Sequence, residues 1–394
     1  MPHIDIKRPE DCCGCGVCMA VCPNDCIQML ADTEGFLYPQ LDSTRCEDCG
    51  LCITTCPLCA VCDVEYRIDP PLVYASWHLD KDVRHESSSG GVFTALAEDI
   101  IKHGGAVVGA AFDESMVVRH LLIEDYDSLS FLRGSKYVQS IITPELYQQI
   151  QSLANEGRYV LFSGTPCQVA ALRNYLGREY ENIFCCDILC HGVPSPAWFK
   201  KYLMSLQKGA SQVIQLAFRH KLKGWKQFKI MKTWRDGSTC FDEMHVDPYM
   251  SSFLKNYCLR KTCYVCKFTE TIRQGDITIA DYWGVANKYP QYDRDDKGTS
   301  LLLINTIKGQ GWLKLSEDRL FLGKGDIETA VAGNPVLSRS ARKPPERDTF
   351  LQDMVSTSVA DLRSKYRLYP NPRKPFWRRA LGFIWRRLKK GILS

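Results

Sequence analysis

The sequence predicts a small α+β unit at the N-terminus, joined to an α/β domain with a mixed, largely parallel sheet and a smaller cysteine-bearing β-rich part. Three observations predict it. Twelve of the 20 cysteines fall in the first 62 residues, eight of them as two copies of one spacing. From Leu72 to Leu189, apolar runs alternate with small-residue turns and helical stretches, the pattern of β–turn–α units on a parallel sheet. After about Gln215 the pattern becomes that of a hairpin, followed by a third cysteine group.

The N-terminal unit rests on two runs. They are Cys12-x2-Cys15-x2-Cys18-x3-Cys22-Pro23 and Cys46-x2-Cys49-x2-Cys52-x3-Cys56-Pro57. This is the bacterial ferredoxin spacing for two [4Fe–4S] clusters, in which the fourth cysteine of each run ligates the other cube. By that rule one cube takes Cys12, Cys15, Cys18 and Cys56, and the other takes Cys46, Cys49, Cys52 and Cys22. The unit is thus expected to be ferredoxin-like and to move electrons singly. Zinc asks for four ligands, usually as two separated pairs, rather than two runs of four. Disulfides belong to oxidising compartments and small secreted chains, and residues 1–10 lack the apolar core of a signal peptide. Cys13, Cys26, Cys59 and Cys62 fall outside the ligand rule, and Cys26 fits a small packed residue.

Between the runs, residues 31–41 contain Gly35-Phe36-Leu37-Tyr38-Pro39, which fits a turn and a short strand. The unit is expected to span residues 1–64, and Asp69-Pro70-Pro71 to form an extended linker. Residues 72–150 and 151–345 read as the two parts of the α/β domain. Strands are expected at 72–77, 106–112, 158–162 and 183–189, with helices at 92–103 and 167–176. Arg235-Asp236-Gly237 marks the turn of a hairpin between 227–234 and 238–245. A helix near 248–257, strands at 276–280 and 300–305, and a short helix at 309–315 complete the expectation.

Cys258-x4-Cys263-x2-Cys266 offers three ligands for a further metal centre. The fourth is expected to be Cys190, beside His191-Gly192, with Cys167 as the alternative. Zinc and unmetallated cysteines also fit this looser spacing. Three small-residue turns precede or lie near helix starts: Ser87-Ser88-Ser89-Gly90-Gly91, Gly134-Ser135-Lys136-Tyr137 and Gly164-Thr165-Pro166-Cys167-Gln168. Free N–H groups at such starts suit phosphates, although Ser and Thr there also serve as plain caps. Ser88, Ser89, Gly90, Gly91, Ser135, Lys136, Tyr137 and Thr165 are therefore the candidate cofactor-binding residues. Together they suit a dinucleotide with two phosphates.

These turns, with Cys190-His191-Gly192-Val193-Pro194-Ser195-Pro196, the Cys258 group and Asp276-Ile277-Thr278-Ile279-Ala280-Asp281-Tyr282-Trp283-Gly284, resemble the coenzyme F420 hydrogenase/dehydrogenase beta subunit family from about residue 70 to 310. The resemblance implies a non-covalent FAD beside a third [4Fe–4S] cluster, and an N-terminal two-cluster unit in some members. It implies a route from an external electron-donor or acceptor protein through three clusters to FAD and a small-molecule substrate, in either direction. That substrate would be the deazaflavin coenzyme or a metabolite, since many members lie near genes for surface-polysaccharide synthesis. Arg84, His191 and Lys226 are candidates for an acidic substrate, though each also fits an ordinary surface or structural role. An electron-transfer subunit feeding a partner enzyme, and a cluster-bearing scaffold, are the competing readings. No residue is singled out as catalytic.

The composition is that of an ordinary globular chain, with 45% hydrophobic and 24% charged residues. No run approaches a membrane span. The net charge of +5 is unevenly spread, the N-terminal unit being acidic. No stacking-plus-basic module points to nucleic acid. Residues 370–394 combine eight bases with Trp377, Leu381, Ile384, Leu388 and Ile392 at helical spacing. That basic amphipathic tail suits either peripheral contact with an anionic membrane or docking on an acidic protein face. The expected location is cytoplasmic, with membrane association on the inner face through the tail.

Overall fold

A computed structural model describes residue 4 and residues 8–60, 63–207 and 209–369. The tail at 370–394 and Cys62 lie outside the described residues. In the N-terminal unit, β1 (Ile27–Ala31) and β2 (Leu37–Leu41) form an antiparallel hairpin. Each cysteine run carries a single helical turn, Val17–Ala20 or Leu51–Thr54. Each turn starts at a left-handed glycine, Gly16 or Gly50, a conformation that glycine adopts without steric cost.

The main domain is built on eight strands in the order β13-β3-β12-β11-β7-β6-β4-β5. They are β3 (Arg67–His78), β4 (Ala106–Phe112), β5 (Val118–Ile123), β6 (Val160–Gly164), β7 (Ile183–Ile188), β11 (Ile277–Asp281), β12 (Ser300–Thr306) and β13 (Leu320–Lys324). A separate three-stranded antiparallel sheet contains β8 (Val213–His220), β9 (Lys229–Trp234) and β10 (Thr239–Glu243). Only the centre of the large sheet is parallel: β11 with β7, β7 with β6, and β6 with β4. The flanking pairs β13–β3, β3–β12, β12–β11 and β4–β5 are antiparallel. The expectation of a largely parallel sheet is corrected in this respect. β5 and β13 carry few local signals of their own and complete the sheet at its edges.

The linker expected at Asp69-Pro70-Pro71 lies instead inside β3. β3 meets β12 at residues 72–76 and again at Arg67, with a register shift between. The prolines fall opposite that irregularity, where no ladder N–H is required of them. The helices Val92–Lys102 and Pro166–Leu176 match the sequence expectation almost to the residue. Pro144–Asn155 lies outside that expectation, although Thr143 caps the Leu146 N–H and a proline opens its first turn. One core lies under Val92–Lys102 and joins Leu96, Ile100, Val107, Leu161, Leu302 and Trp312. Among the described residues, no helix is long and apolar enough to cross a membrane.

Candidate functional site

A cavity of about 720 Å³ opens at the carboxyl ends of β6, β7 and β11. Ligand sites in α/β sheets gather at such strand ends, and the volume is that of a small-molecule or cofactor pocket. Its wall includes Ser88, Ser89, Gly91, Ser135, Lys136, Tyr137, Thr165, Cys190, Cys263 and Cys266, all expected from the sequence. His120, Gln139, Ser163, Cys167 and Arg219 line it too, as do Cys13 and Gly14 from the N-terminal unit.

The first two turns are stitched together. The Ser135 N–H donates to Ser88 Oγ at 2.8 Å, and the two hydroxyls meet at 3.0 Å. Gly91, with φ +92°, begins the helix Val92–Lys102, and no side chain caps it. Gly91, Val92, Phe93 and Thr94 all line the cavity. An uncapped helix start of this kind attracts anions. Gly90 does not line the cavity. A Cβ there would stand 2.4 Å from the Ser76 carbonyl oxygen, and its N–H donates to Ser300 Oγ at 2.9 Å. Gly90 therefore serves close packing against β3 and β12. Ser89 Oγ likewise donates to the Thr299 carbonyl, at 3.1 Å.

Lys136 Nζ donates to the carbonyls of Phe131 and Arg133, at 2.8 and 2.6 Å. Burial lowers its pKa to about 7. Tyr137 packs its ring against Phe253 and Phe218, at 4.9 and 5.5 Å between centroids. Its hydroxyl accepts from Arg219, which also forms a two-point ion pair with Asp281. The third turn is different from the first. Thr165 and Gln168 form a reciprocal capping box, so this helix start satisfies itself. What it presents to the cavity is Cys167, whose Sγ lies 3.2 Å from Thr165 Oγ1.

Cys167, Cys190, Cys263 and Cys266 face one another here. The thiolates of Cys167, Cys263 and Cys266 all act on Cys190, whose pKa is raised first by burial and then by them. Gly192, with φ +140°, brings this corner together, and a Cβ there would stand 2.9 Å from Leu259. Val193 N–H donates to Cys263 Sγ, and Phe268 N–H to Cys266 Sγ, each at 3.4 Å. Cys258 is placed elsewhere. It is fully buried in the apolar core, its thiol 3.7 Å from Ser252 Oγ, and it lines no part of the cavity. Cys167 and Cys190 thus both stand in the set that the sequence offered to only one of them, and Cys258 stands outside it. Among the described residues, no three His, Cys, Asp or Glu side chains converge tightly enough for a single metal ion. A cube spreads its thiolates over four irons.

In the N-terminal unit, Cys22, Cys46, Cys49 and Cys52, the set expected for the second cube, line one small hollow together with Cys26, whose Sγ lies 3.2 Å from that of Cys22. Cys18 is raised by burial and then by the nearby Cys12, Cys56 and Cys52 thiolates. Cys13 lines the cavity with Cys167, and its thiol is held well above its ordinary pKa chiefly by the neighbouring Cys15. The junction is bolted by two fully buried arginines. Arg260 donates to the carbonyls of Cys12 and Leu37, each at 2.8 Å, and to Gln139 Oε1 at 3.0 Å. Arg347 pairs at two points with Glu34 and also reaches the Leu259 carbonyl.

Three residues named for an acidic substrate are otherwise engaged. Arg84 pairs with Asp295 and does not line the cavity. Lys226 and His191 do line the cavity, Lys226 paired with Asp293 at 2.6 Å and His191 Nε2 at 2.6 Å from Asn256 Oδ1. The sequence alone does not single out His120, Arg219 or Arg260. His120 and Arg219 sit in no local motif, and Arg260, although inside the Cys258-x4-Cys263 spacing, finds its partners far away in the chain.

Comparison with known proteins matches two separate stretches of the chain. The family model for the C terminus of the coenzyme F420 hydrogenase/dehydrogenase beta subunit matches residues 157–329, and that of the 4Fe-4S dicluster domain matches residues 11–60. Residues 157–329 are thus similar to that beta-subunit family, and the stretch that matches the 4Fe-4S dicluster domain precedes them. A coenzyme F420-dependent sulfite reductase of Methanocaldococcus jannaschii is 28% identical over 166 residues, which are 41% of this chain and 24% of that protein. The chain therefore matches about a quarter of that relative's length. The solved F420-reducing [NiFe] hydrogenase complex from Methanosarcina barkeri includes a chain with 15% identity and a TM-score of 0.45, covering 71% of this chain and 97% of that one.

Proposed function

We propose that this protein is an iron–sulfur flavoprotein oxidoreductase, passing electrons between [4Fe–4S] centres and FAD to reduce or oxidise a small organic molecule. One observation carries this reading: an uncapped helix start, the Lys136 ammonium and four cysteines share one cavity that also touches the dicluster domain. A flavin supplies the exchange between single electrons and electron pairs.

The residues present fit it. The helix start at Gly91 and the joined Ser88 and Ser135 turns offer donors to a diphosphate. Among the described residues, Lys136 has no carboxylate partner, so its charge is free to face an anionic part of the cofactor. Cys167, Cys190, Cys263 and Cys266 are the proposed ligands of a third [4Fe–4S] cluster, and Cys13 lies between it and the first. Phe228, Met244, Ile279 and Trp283 wall a further part of the cavity, suited to a planar substrate. The F420 dependence named for the sulfite reductase supports a deazaflavin as one such molecule. An electron-carrying protein would meet the dicluster domain at its exposed second run.

The test is anaerobic purification with iron, sulfide and flavin measured on one sample. About twelve irons and one FAD per chain, the sum for three cubes and a flavin, is the expected result. About eight irons and no flavin, after incubation with FAD, would leave a dicluster electron carrier that feeds a partner enzyme.

A further inference from the structure

Arg260 is fully buried where the N-terminal unit meets the main domain. Its donors go to three neutral acceptors: the Cys12 and Leu37 carbonyls and Gln139 Oε1. The rings of Tyr38 and Phe36 cover it, at 4.2 and 5.3 Å. Among the described residues no carboxylate pairs with it, whereas the buried Arg347 pairs with Glu34 and the buried Arg273 with Asp187. A guanidinium keeps its charge in a protein. Dipoles and ring faces offset only part of the cost of burying it without a counter-ion.

What stands on either side of this charge is cysteine. The Cys263 N–H donates to the Arg260 carbonyl at 3.0 Å, and the Arg260 N–H to the Val193 carbonyl at 2.9 Å. Cys13 holds the Cys167 thiol above its ordinary pKa and burial does the same for Cys263, and Arg260 works against both rises. On the other side, a Cβ on Gly14 would stand 2.9 Å from Arg260 Nη1, and the Gly14 N–H donates to Cys12 Sγ at 3.3 Å. Around the second run the charges of Asp42, Arg45, Glu47 and Asp48 are exposed, where water and salt screen them.

We infer that Arg260 is a counter-charge shared by the first-run cube and the cluster proposed at Cys167, Cys190, Cys263 and Cys266, and that it raises the reduction potential of both. Each centre takes up one electron on reduction, with no bond made or broken, and becomes one unit more negative. A fixed positive charge in a dry site favours that state. The effect favours an electron on the inner pair over one on the second run. For the inner cluster the inference rests on the function proposed above; for the first-run cube it rests on the dicluster match alone.

The experiment is a redox titration of the full chain, prepared anaerobically, with low-temperature EPR reading the reduced cubes apart from flavin. Iron is counted on the same samples. Arg260→Gln removes the charge, Arg260→Lys keeps it, and both lose the guanidinium fork. Two cube signals are expected to move to lower potential in Arg260→Gln and to stay near the wild type in Arg260→Lys. The signal of the second run should stay in both. Gln139→Glu keeps the shape and the acceptor and sets a carboxylate on the guanidinium. The same two signals should fall there, which decides the matter if Arg260→Gln does not fold. No shift in Arg260→Gln or in Gln139→Glu, an equal shift of every signal, or an equal shift in Arg260→Gln and Arg260→Lys would overturn the inference. So would loss of iron in both Arg260 variants with the remaining potentials unmoved, the result of a purely structural clamp. About eight irons in the wild type, with one signal that shifts and one that does not, would overturn the third cluster and leave the role of Arg260 at the first-run cube.

Discussion

The two cysteine runs share one spacing and sit in different surroundings. Cys15 and Cys18 of the first are buried, and its backbone is gripped by the main domain: Arg260 holds the Cys12 carbonyl, and Tyr147 Oη donates to the Cys15 carbonyl at 3.1 Å. Gly14 closes the contact, since a Cβ there would stand 2.6 Å from Gln139 and 2.9 Å from Arg260. In the second run Cys49 is exposed, and so are the neighbouring Asp42, Glu47 and Asp48. Its principal tie is Asn174, which donates to the Thr55 and Ala60 carbonyls at 3.1 and 2.6 Å. Identical spacing thus sits in two different surroundings. The packing partner decides which centre faces inward and which faces solvent.

Removing the grip on the first run is the strongest way to break the comparison. Arg260→Ala strips three acceptors of a buried cationic donor, and a loss of about 3–5 kcal/mol is expected in urea unfolding. Iron analysis should show the second-run cube retained more often than the inner centres. Equal loss from both would mean that the two runs do not differ as their surroundings imply.

The second test concerns the inner cysteines. Cys167→Ser should lower iron by about four atoms per chain, one cube, whereas Cys258→Ala should leave iron content unchanged. The opposite pattern would return Cys258 to the ligand set.

A third test sharpens the contrast between the cavity and the exposed run through pH. Lys136 has a pKa lowered to about 7 by burial. Above that pH it is neutral in the empty cavity, and an anionic cofactor beside it must draw a proton on binding. FAD affinity should therefore fall as pH rises from 7 to 9, by at most about tenfold per unit. Below pH 7 the lysine is already charged, and the dependence should flatten. Lys136→Met should abolish the slope in a flavin fluorescence titration. An unchanged slope would place the titrating group elsewhere.

The smallest effect is expected at the outer run. Asn174→Ala leaves two backbone carbonyls without this donor and should cost about 1–2 kcal/mol. Iron content should be unchanged, and a calorimetric melt would read the shift. A loss as large as that of Arg260→Ala would erase the distinction.

Much of the architecture was legible where short-range patterns repeat. The strand Ala106–Phe112, the helix Val92–Lys102 and the hairpin around Arg235-Asp236-Gly237 follow from local periodicity and turn chemistry. β5 and β13 were not legible, because edge strands are decided by the sheet they join. In the site, Ser88, Ser135 and Lys136 could be named from their turns. Thr165 could be named too, but only the folded chain shows its hydroxyl engaged with Gln168.

The sequence alone determined the two cluster-binding runs, since x2-x2-x3 spacing followed by proline places the ligands within a few bonds of one another. It also determined the alternating units that carry the cavity. Tertiary structure alone decided that Cys167 lies with Cys190, Cys263 and Cys266, that Cys258 turns into the core, and that Arg260 holds the first run. Those choices depend on residues far apart in the chain, such as Cys263 with Val193 and Arg260 with Cys12. Spacing along the chain does not encode such distances. They follow from strand order and from which buried polar groups must find partners.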